Sequence, residues 1–140
     1  LHHPGAVLVA HSLGCLVVAR LLATWPQLNI AGALLVAPAD PRHSLRLRRF
    51  ADIPRSELPL PVTGAASRKD PWMSFAQAFD LADDWGASLV DLGNAGHVNV
   101  ASGFGPWAEG MALRDALLRR ARRWVRPSAG RRAPAQRWAR

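Results

Sequence analysis

Residues 6–24 read AVLVAHSLGCLVVARLLAT, and this stretch decides the fold. Residues 6–10 form a short apolar run of the length and composition of a buried strand. Residues 15–23 are apolar apart from Arg20, which suits a helix packed on a sheet. A turn this tight from strand to helix forces a strained backbone on Ser12 and leaves its Oγ exposed at the C-terminal edge of the sheet.

The residues around Ser12 match the requirements of such a turn. Ala10 and Gly14 supply small neighbours and give the motif A-x-S-x-G, one methyl group away from G-x-S-x-G. The helix N-terminus provides a positive dipole end, and the Leu13 N–H is the first donor for a developing oxyanion. The alternative is an ordinary turn in which Ser12 only caps the helix.

The rest of the chain alternates between strand and helix patterns. Such alternation predicts an α/β protein, with a parallel sheet of about four strands and flanking helices. Ser74 and Gln77 form a predicted capping box, and Gly86 ends the helix that follows. Its predicted buried face consists of Phe75, Ala78, Phe79 and Ala82. The further strands are predicted at residues 30–37, 62–66 and 88–92, and the last helix runs from 106 or 107 to about 125.

Residues 42–61 interrupt this alternation with a proline-spaced, basic segment. Such an excursion over the top of a sheet can form a lid or a substrate wall. A solvated connector explains the same composition equally well.

Length and composition restrict the class of protein. A chain of 140 residues with 49% hydrophobic residues suits one small domain with a real core. No apolar run approaches the roughly 20 residues of a membrane span. The single Cys15 excludes an internal disulfide, is compatible with a cytoplasmic location, and is interpreted as a core residue rather than a nucleophile.

The net charge of +8 is concentrated at one end of the chain. Residues 119–140 contain nine arginines and no acidic residue, so the remainder is close to neutral. We therefore divide the chain into a domain at residues 1–125 and a basic, disordered tail at residues 126–140. The tail is the one segment that could contact nucleic acid or another anionic partner, and a solvated extension is the favoured alternative.

Three chemically suited side chains follow three different predicted strands. Ser12, Asp70 and His97 occur in the chain order of the α/β-hydrolases. His97 can take the proton of Ser12, and Asp70 can fix the tautomer of His97 and stabilise its charged form. Asp40, which follows the second strand, is the best substitute acid. Three weaker candidates are His11, which is expected to point away from Ser12, Asp91, which lies inside a strand, and Cys15.

Three segments carry a resemblance to a known family. Residues 7–15 (VLVAHSLGC), 50–61 (FADIPRSELPLP) and 66–110 (ASRKDPWMSFAQAFDLADDWGASLVDLGNAGHVNVASGFGPWAEG) resemble the RBBP9/YdeN family of small serine hydrolases. The resemblance covers roughly residues 6–118. It implies an α/β-hydrolase fold with Ser12 as nucleophile, Asp70 as acid and His97 as base.

Members of that family carry an N-terminal portion before the nucleophile strand, and we expect this chain to lack it. The chain would then be the C-terminal part of a longer protein or start at an unusual codon, and the nucleophile strand would be a sheet edge. The predicted function is a serine hydrolase of the esterase or amidase type, acting on a small-molecule ester or amide without metal or cofactor. The alternative is a truncated, non-catalytic hydrolase-like protein that serves as a binding module.

Overall fold

A computed structural model describes residues 5–124, in which strands and helices alternate along the chain. The strands are β1 (Ala6–His11), β2 (Ile30–Val36), β3 (Val62–Ala66) and β4 (Ser88–Asp91), and the helices are α1 (Leu13–Thr24), α2 (Phe75–Trp85) and α3 (Ala108–Arg123). Short 3₁₀ turns cover Arg48–Phe50 and Val100–Ser102. No helix among the described residues has both the length and the apolarity needed to cross a bilayer. The predicted tail at 126–140 lies outside the described residues.

The four strands form one parallel sheet in the order β1-β2-β3-β4. This confirms the predicted fold class. Within residues 5–124, β1 pairs on one side only, so the strand that leads to Ser12 is an edge of the sheet, as expected. Because all strands run the same way, the loops after β1, β3 and β4 emerge at one edge.

The helices cover both faces of the sheet. Helices α1 and α2 share one apolar cluster, whereas α3 packs through Leu117 on the opposite face. The side chains of β2 divide between these clusters by alternation, with Ala33 and Leu35 on one face and Leu34 and Val36 on the other. A strand covered on both faces is expected to be continuously apolar, which explains the sequence of residues 30–36.

Helix α2 begins and ends where its sequence predicts. The Ser74 side chain accepts from the Gln77 N–H at 3.2 Å, and the Gln77 side chain accepts from the Ser74 N–H at 3.0 Å. Gly86 takes the left-handed conformation, with φ 67°, and ends the helix. The predicted buried face is wrong at Phe79, whose ring is 37% exposed.

The buried stripe of α2 consists of Ala78, Leu81, Ala82 and Trp85. Its orientation is set by the segment between β2 and β3, because the Trp85 indole N–H donates to the Pro54 carbonyl at 2.8 Å. Leu58 and Leu60 of the same segment are buried in the cluster of α1 and α2. The second half of this excursion is therefore packed against the domain.

Candidate active site

Ser12 occupies a strained turn between β1 and α1. Its backbone has φ 57° and ψ −124°, a conformation that side-chain-bearing residues rarely adopt. The Ser12 N–H donates to the Val36 carbonyl at 3.0 Å, which ties the turn to the end of β2. A Cβ added at Gly14 would lie 3.5 Å from the Ala10 Cβ, an ordinary van der Waals contact, so these two small residues pack directly against each other.

Cys15 is a core residue, although it lies three positions after Ser12. Its side chain is fully buried, and its Sγ donates to the Val36 carbonyl at 3.3 Å. Burial raises the pKa of the Cys15 thiol to about 12, and the hydrogen bond to Val36 opposes only part of this shift. The thiol is thus protonated at neutral pH, and the hydroxyl is the exposed nucleophilic group of the turn.

His97 lies between Ser12 and Asp70. Its Nε2 is 2.8 Å from the Ser12 Oγ, and its Nδ1 is 3.0 Å from both carboxylate oxygens of Asp70. The side chains of His97 and Asp70 are 9% and 3% exposed. Because a carboxylate only accepts, Nδ1 carries the proton, and Nε2 of a neutral imidazole is left to accept from the serine hydroxyl.

Asp70 is fixed by the backbone that follows it. The Trp72 N–H donates to the Asp70 Oδ1 at 2.9 Å, and the Trp72 carbonyl accepts from the Asp40 N–H at 2.9 Å. The loop after β3 is therefore held to the segment after β2, and the carboxylate cannot turn freely away from His97.

Ser67 is a positioning residue that sequence reasoning did not single out. Its buried Oγ donates to the Gly93 carbonyl at 3.3 Å and accepts from the N–H groups of Lys69 and Ala95. One hydroxyl thus joins the loop that carries Asp70 to the loop that carries His97. The signal in the sequence was the S-R-K-D run at residues 67–70, in which only the aspartate was given a role.

The His97 loop has an unusual backbone on both sides of the imidazole. Gly96 has φ 58° and Val98 has φ 52°. A Cβ at Gly96 would lie 2.6 Å from the Ser102 Oγ, which itself accepts from the His97 N–H at 3.1 Å, so glycine is required there. A β-branched residue such as Val98 adopts this conformation only where its surroundings enforce it, and its side chain is buried among residues facing α3.

His11, which was expected to point away from Ser12, contacts the loop that carries His97. Its Nε2 is 2.7 Å from the His97 carbonyl oxygen, and the two ring centroids are 4.8 Å apart. A carbonyl only accepts, so His11 Nε2 carries a proton and donates it. No local pattern announces this contact, because it joins residues 86 positions apart.

The two other candidate acids, Asp40 and Asp91, form hydrogen bonds with residues other than His97. Asp40 accepts from Arg42 and from the Gln77 amide, 2.8 Å away. Partial burial raises the pKa of Asp40, but the hydrogen bonds from Arg42 and Gln77 outweigh it, and this pKa lies below its usual range. Asp91, the last residue of β4, is bound by Arg68. The carboxylate at His97 is that of Asp70.

Other parts of the described chain are weaker candidates for a functional site. A cavity of about 320 Å³ lies between the excursion after β2 and helix α2. Its lining includes Asp40, Arg42, Met73 and Gln77 but not Ser12, Asp70 or His97. Among residues 5–124, no group of three or more His, Cys, Asp or Glu side chains is arranged to hold a metal ion.

A parallel sheet with helices on both faces, and a serine on a strained strand-to-helix turn, defines the α/β-hydrolase class. A family model described as serine hydrolase matches residues 2–116, and the chain belongs to this family. The membership in the YdeN family predicted from the sequence is confirmed. A comparison with curated proteins gives no match.

Solved structures agree with this assignment. A protein described as a YdeN-like hydrolase from Pectobacterium atrosepticum is 37% identical, with a TM-score of 0.77, and the match covers 86% of this chain and 63% of that one. The ydeN gene product of Bacillus subtilis is 23% identical, with a TM-score of 0.67 and coverage of 84% and 67%. The Bacillus cereus carboxylesterase is 20% identical, with a TM-score of 0.54 and coverage of 86% and 52%. These last two likenesses concern the fold, and the chain spans less than two thirds of the Pectobacterium hydrolase.

Proposed function

We propose that this protein hydrolyses small-molecule esters or amides through a triad of Ser12, His97 and Asp70. The observation that carries the proposal is the position of one imidazole, 2.8 Å from the serine hydroxyl and 3.0 Å from the carboxylate. The family and the esterases among the structural neighbours support the same class of reaction.

The chemistry follows from the tautomer of His97. As the Ser12 Oγ attacks the carbonyl carbon, its proton passes to His97 Nε2, and Asp70 stabilises the imidazolium that forms. The Leu13 N–H, at the start of α1, is the proposed donor to the oxyanion. The C–O or C–N bond then breaks as Nε2 returns the proton to the leaving group, and water releases the acyl group by the same steps in reverse order.

The first test is covalent labelling of the nucleophile. A fluorophosphonate probe should add once to the protein, at Ser12, and Ser12→Ala should abolish both this adduct and the hydrolysis of p-nitrophenyl butyrate. The matched control is Ser56→Ala, which removes an exposed hydroxyl and should leave labelling unchanged. Intact-mass spectrometry followed by peptide mapping reads the outcome. Labelling that persists in Ser12→Ala would contradict the triad. A folded wild-type protein without any adduct would also contradict it, and would favour a non-catalytic, hydrolase-like binding module.

His11 is expected to act on the reaction through the backbone of His97. His11→Phe keeps a ring but loses the donor, whereas His11→Gln places an amide N–H near the position of Nε2. We expect kcat to fall about fivefold in His11→Phe, in line with the roughly 1 kcal/mol of one hydrogen bond, and to recover most of this loss in His11→Gln. Steady-state kinetics on p-nitrophenyl butyrate measures both variants. Equal losses in the two variants would mean that His11 acts through packing alone.

A further inference from the structure

Trp72 presents an aromatic ring beside the proposed catalytic histidine. Its backbone is anchored at both polar groups, because its N–H donates to Asp70 and its carbonyl accepts from the Asp40 N–H. Despite these anchors, the side chain is 36% exposed. A large apolar ring held rigidly at the surface next to reactive groups offers a binding face at little cost in conformational entropy.

Two imidazole rings lie near the Trp72 ring. Its centroid lies 6.0 Å from that of His97, with the planes tilted by 39°, and 4.9 Å from that of His43, with a tilt of 51°. His43 is exposed and belongs to the excursion after β2. We call Trp72 and His43 the ring pair. Through His43, the first half of the excursion contacts the same indole that lies beside the imidazole of His97.

We propose that the ring pair binds the leaving group of the substrate, and that the preferred substrates are esters whose alcohol carries an aromatic ring. This proposal rests on the proposed function. In that reaction His97 Nε2 gives its proton to the leaving oxygen, so the leaving group must lie against the imidazole at the moment of bond cleavage. The Trp72 ring is an exposed aromatic surface next to that imidazole, whereas the acyl group remains on the Ser12 Oγ.

The chemistry of the pair favours a flat, uncharged group. Aromatic rings attract one another in tilted and offset arrangements at centroid distances of about 4.5–7 Å, and the pair already shows such geometry with its own neighbours. Arg42, the residue before His43, is paired with Asp40. A benzyl group therefore gains a ring contact that a methyl group lacks, worth roughly threefold to tenfold in kcat/KM.

The test compares benzyl butyrate with methyl butyrate, which share an acyl group and differ in the alcohol alone. Trp72→Ala should lower the benzyl-to-methyl ratio of kcat/KM by about threefold to tenfold, whereas Trp72→Phe should keep most of it. The matched control is Trp25→Ala, which removes another exposed indole, 51% accessible, from the residue after α1. That variant should leave the ratio unchanged. If Trp72→Ala is recovered unfolded, His43→Ala should lower the ratio by about twofold to threefold.

Two further readouts separate the inference from the proposed function. An unchanged ratio in Trp72→Ala, with fluorophosphonate labelling of Ser12 intact, overturns the leaving-group site alone. Absence of labelling in the wild type overturns the proposed function, and the ring pair is then tested by binding. In the Ser12→Ala background, calorimetry should show that Trp72→Ala raises the Kd for benzyl butyrate about fivefold or more. Equal affinity in the two forms would overturn the inference.

Discussion

Replacing Asp70 by asparagine should lower kcat for p-nitrophenyl butyrate by about 10⁴-fold while leaving the fold intact. The Trp72 N–H donates to the Asp70 Oδ1, and an asparagine carbonyl oxygen can accept the same bond. The asparagine NH₂ group would then face His97 Nδ1 and require that nitrogen to accept. The ring proton would move to Nε2, which could no longer take the proton of Ser12.

The measurement combines kcat with circular dichroism on the same preparation. Asp52→Asn is the matched control, because that carboxylate is 88% exposed and pairs with Arg20 at the surface. It should retain wild-type activity. A loss of less than tenfold in folded Asp70→Asn would remove Asp70 from the triad, and Asp40→Asn would then be the variant to measure.

Replacing Leu117 by alanine should lower the free energy of unfolding by about 2–5 kcal/mol. Leu117 is 1% exposed and holds α3 to the sheet. Gly32 of β2 lies so close beneath it that an added Cβ would be 3.2 Å from the Leu117 Cδ1. Because the glycine leaves no side chain to fill the space, truncating the leucine opens a cavity that the backbone cannot easily close.

Urea denaturation followed by tryptophan fluorescence measures this loss. Met111→Ala is the matched control on the same helix, since Met111 is 52% exposed and its truncation should change the free energy of unfolding by less than about 0.5 kcal/mol. Similar losses in the two variants would show that α3 is not held by burial of Leu117.

The features that sequence could predict are those encoded by neighbouring residues. The strand, turn and helix around Ser12 follow from a local pattern of apolar and small side chains, and the capping box from the Ser74 and Gln77 spacing. The positions of Asp70 and His97 after two strands follow from the topology of a parallel sheet, because strand ends meet at one edge. The convergence of both with Ser12 at this edge, with His97 between the other two, is predicted on that basis.

The rest depends on contacts between distant residues. The ring of His11 meets the His97 carbonyl only because the loop after β4 folds back over the end of β1. Phe79 is 37% exposed, whereas Trp85 of the same helix is buried and its indole N–H donates to the Pro54 carbonyl. The helical spacing of apolar residues predicts how wide the apolar stripe of a helix is. Which edge of that stripe is buried depends on the elements that pack against the helix.

The order of the strands also has a consequence for how the chain folds. Every ladder joins neighbours in sequence, roughly 25 to 30 residues apart, so each strand can pair as soon as the next one has left the ribosome. The contact between Ser12 and His97 spans 85 residues. It can form only after β4 and the loop that follows it have been made, so a nascent chain can hold the paired strands β1 and β2 well before it holds an activated serine.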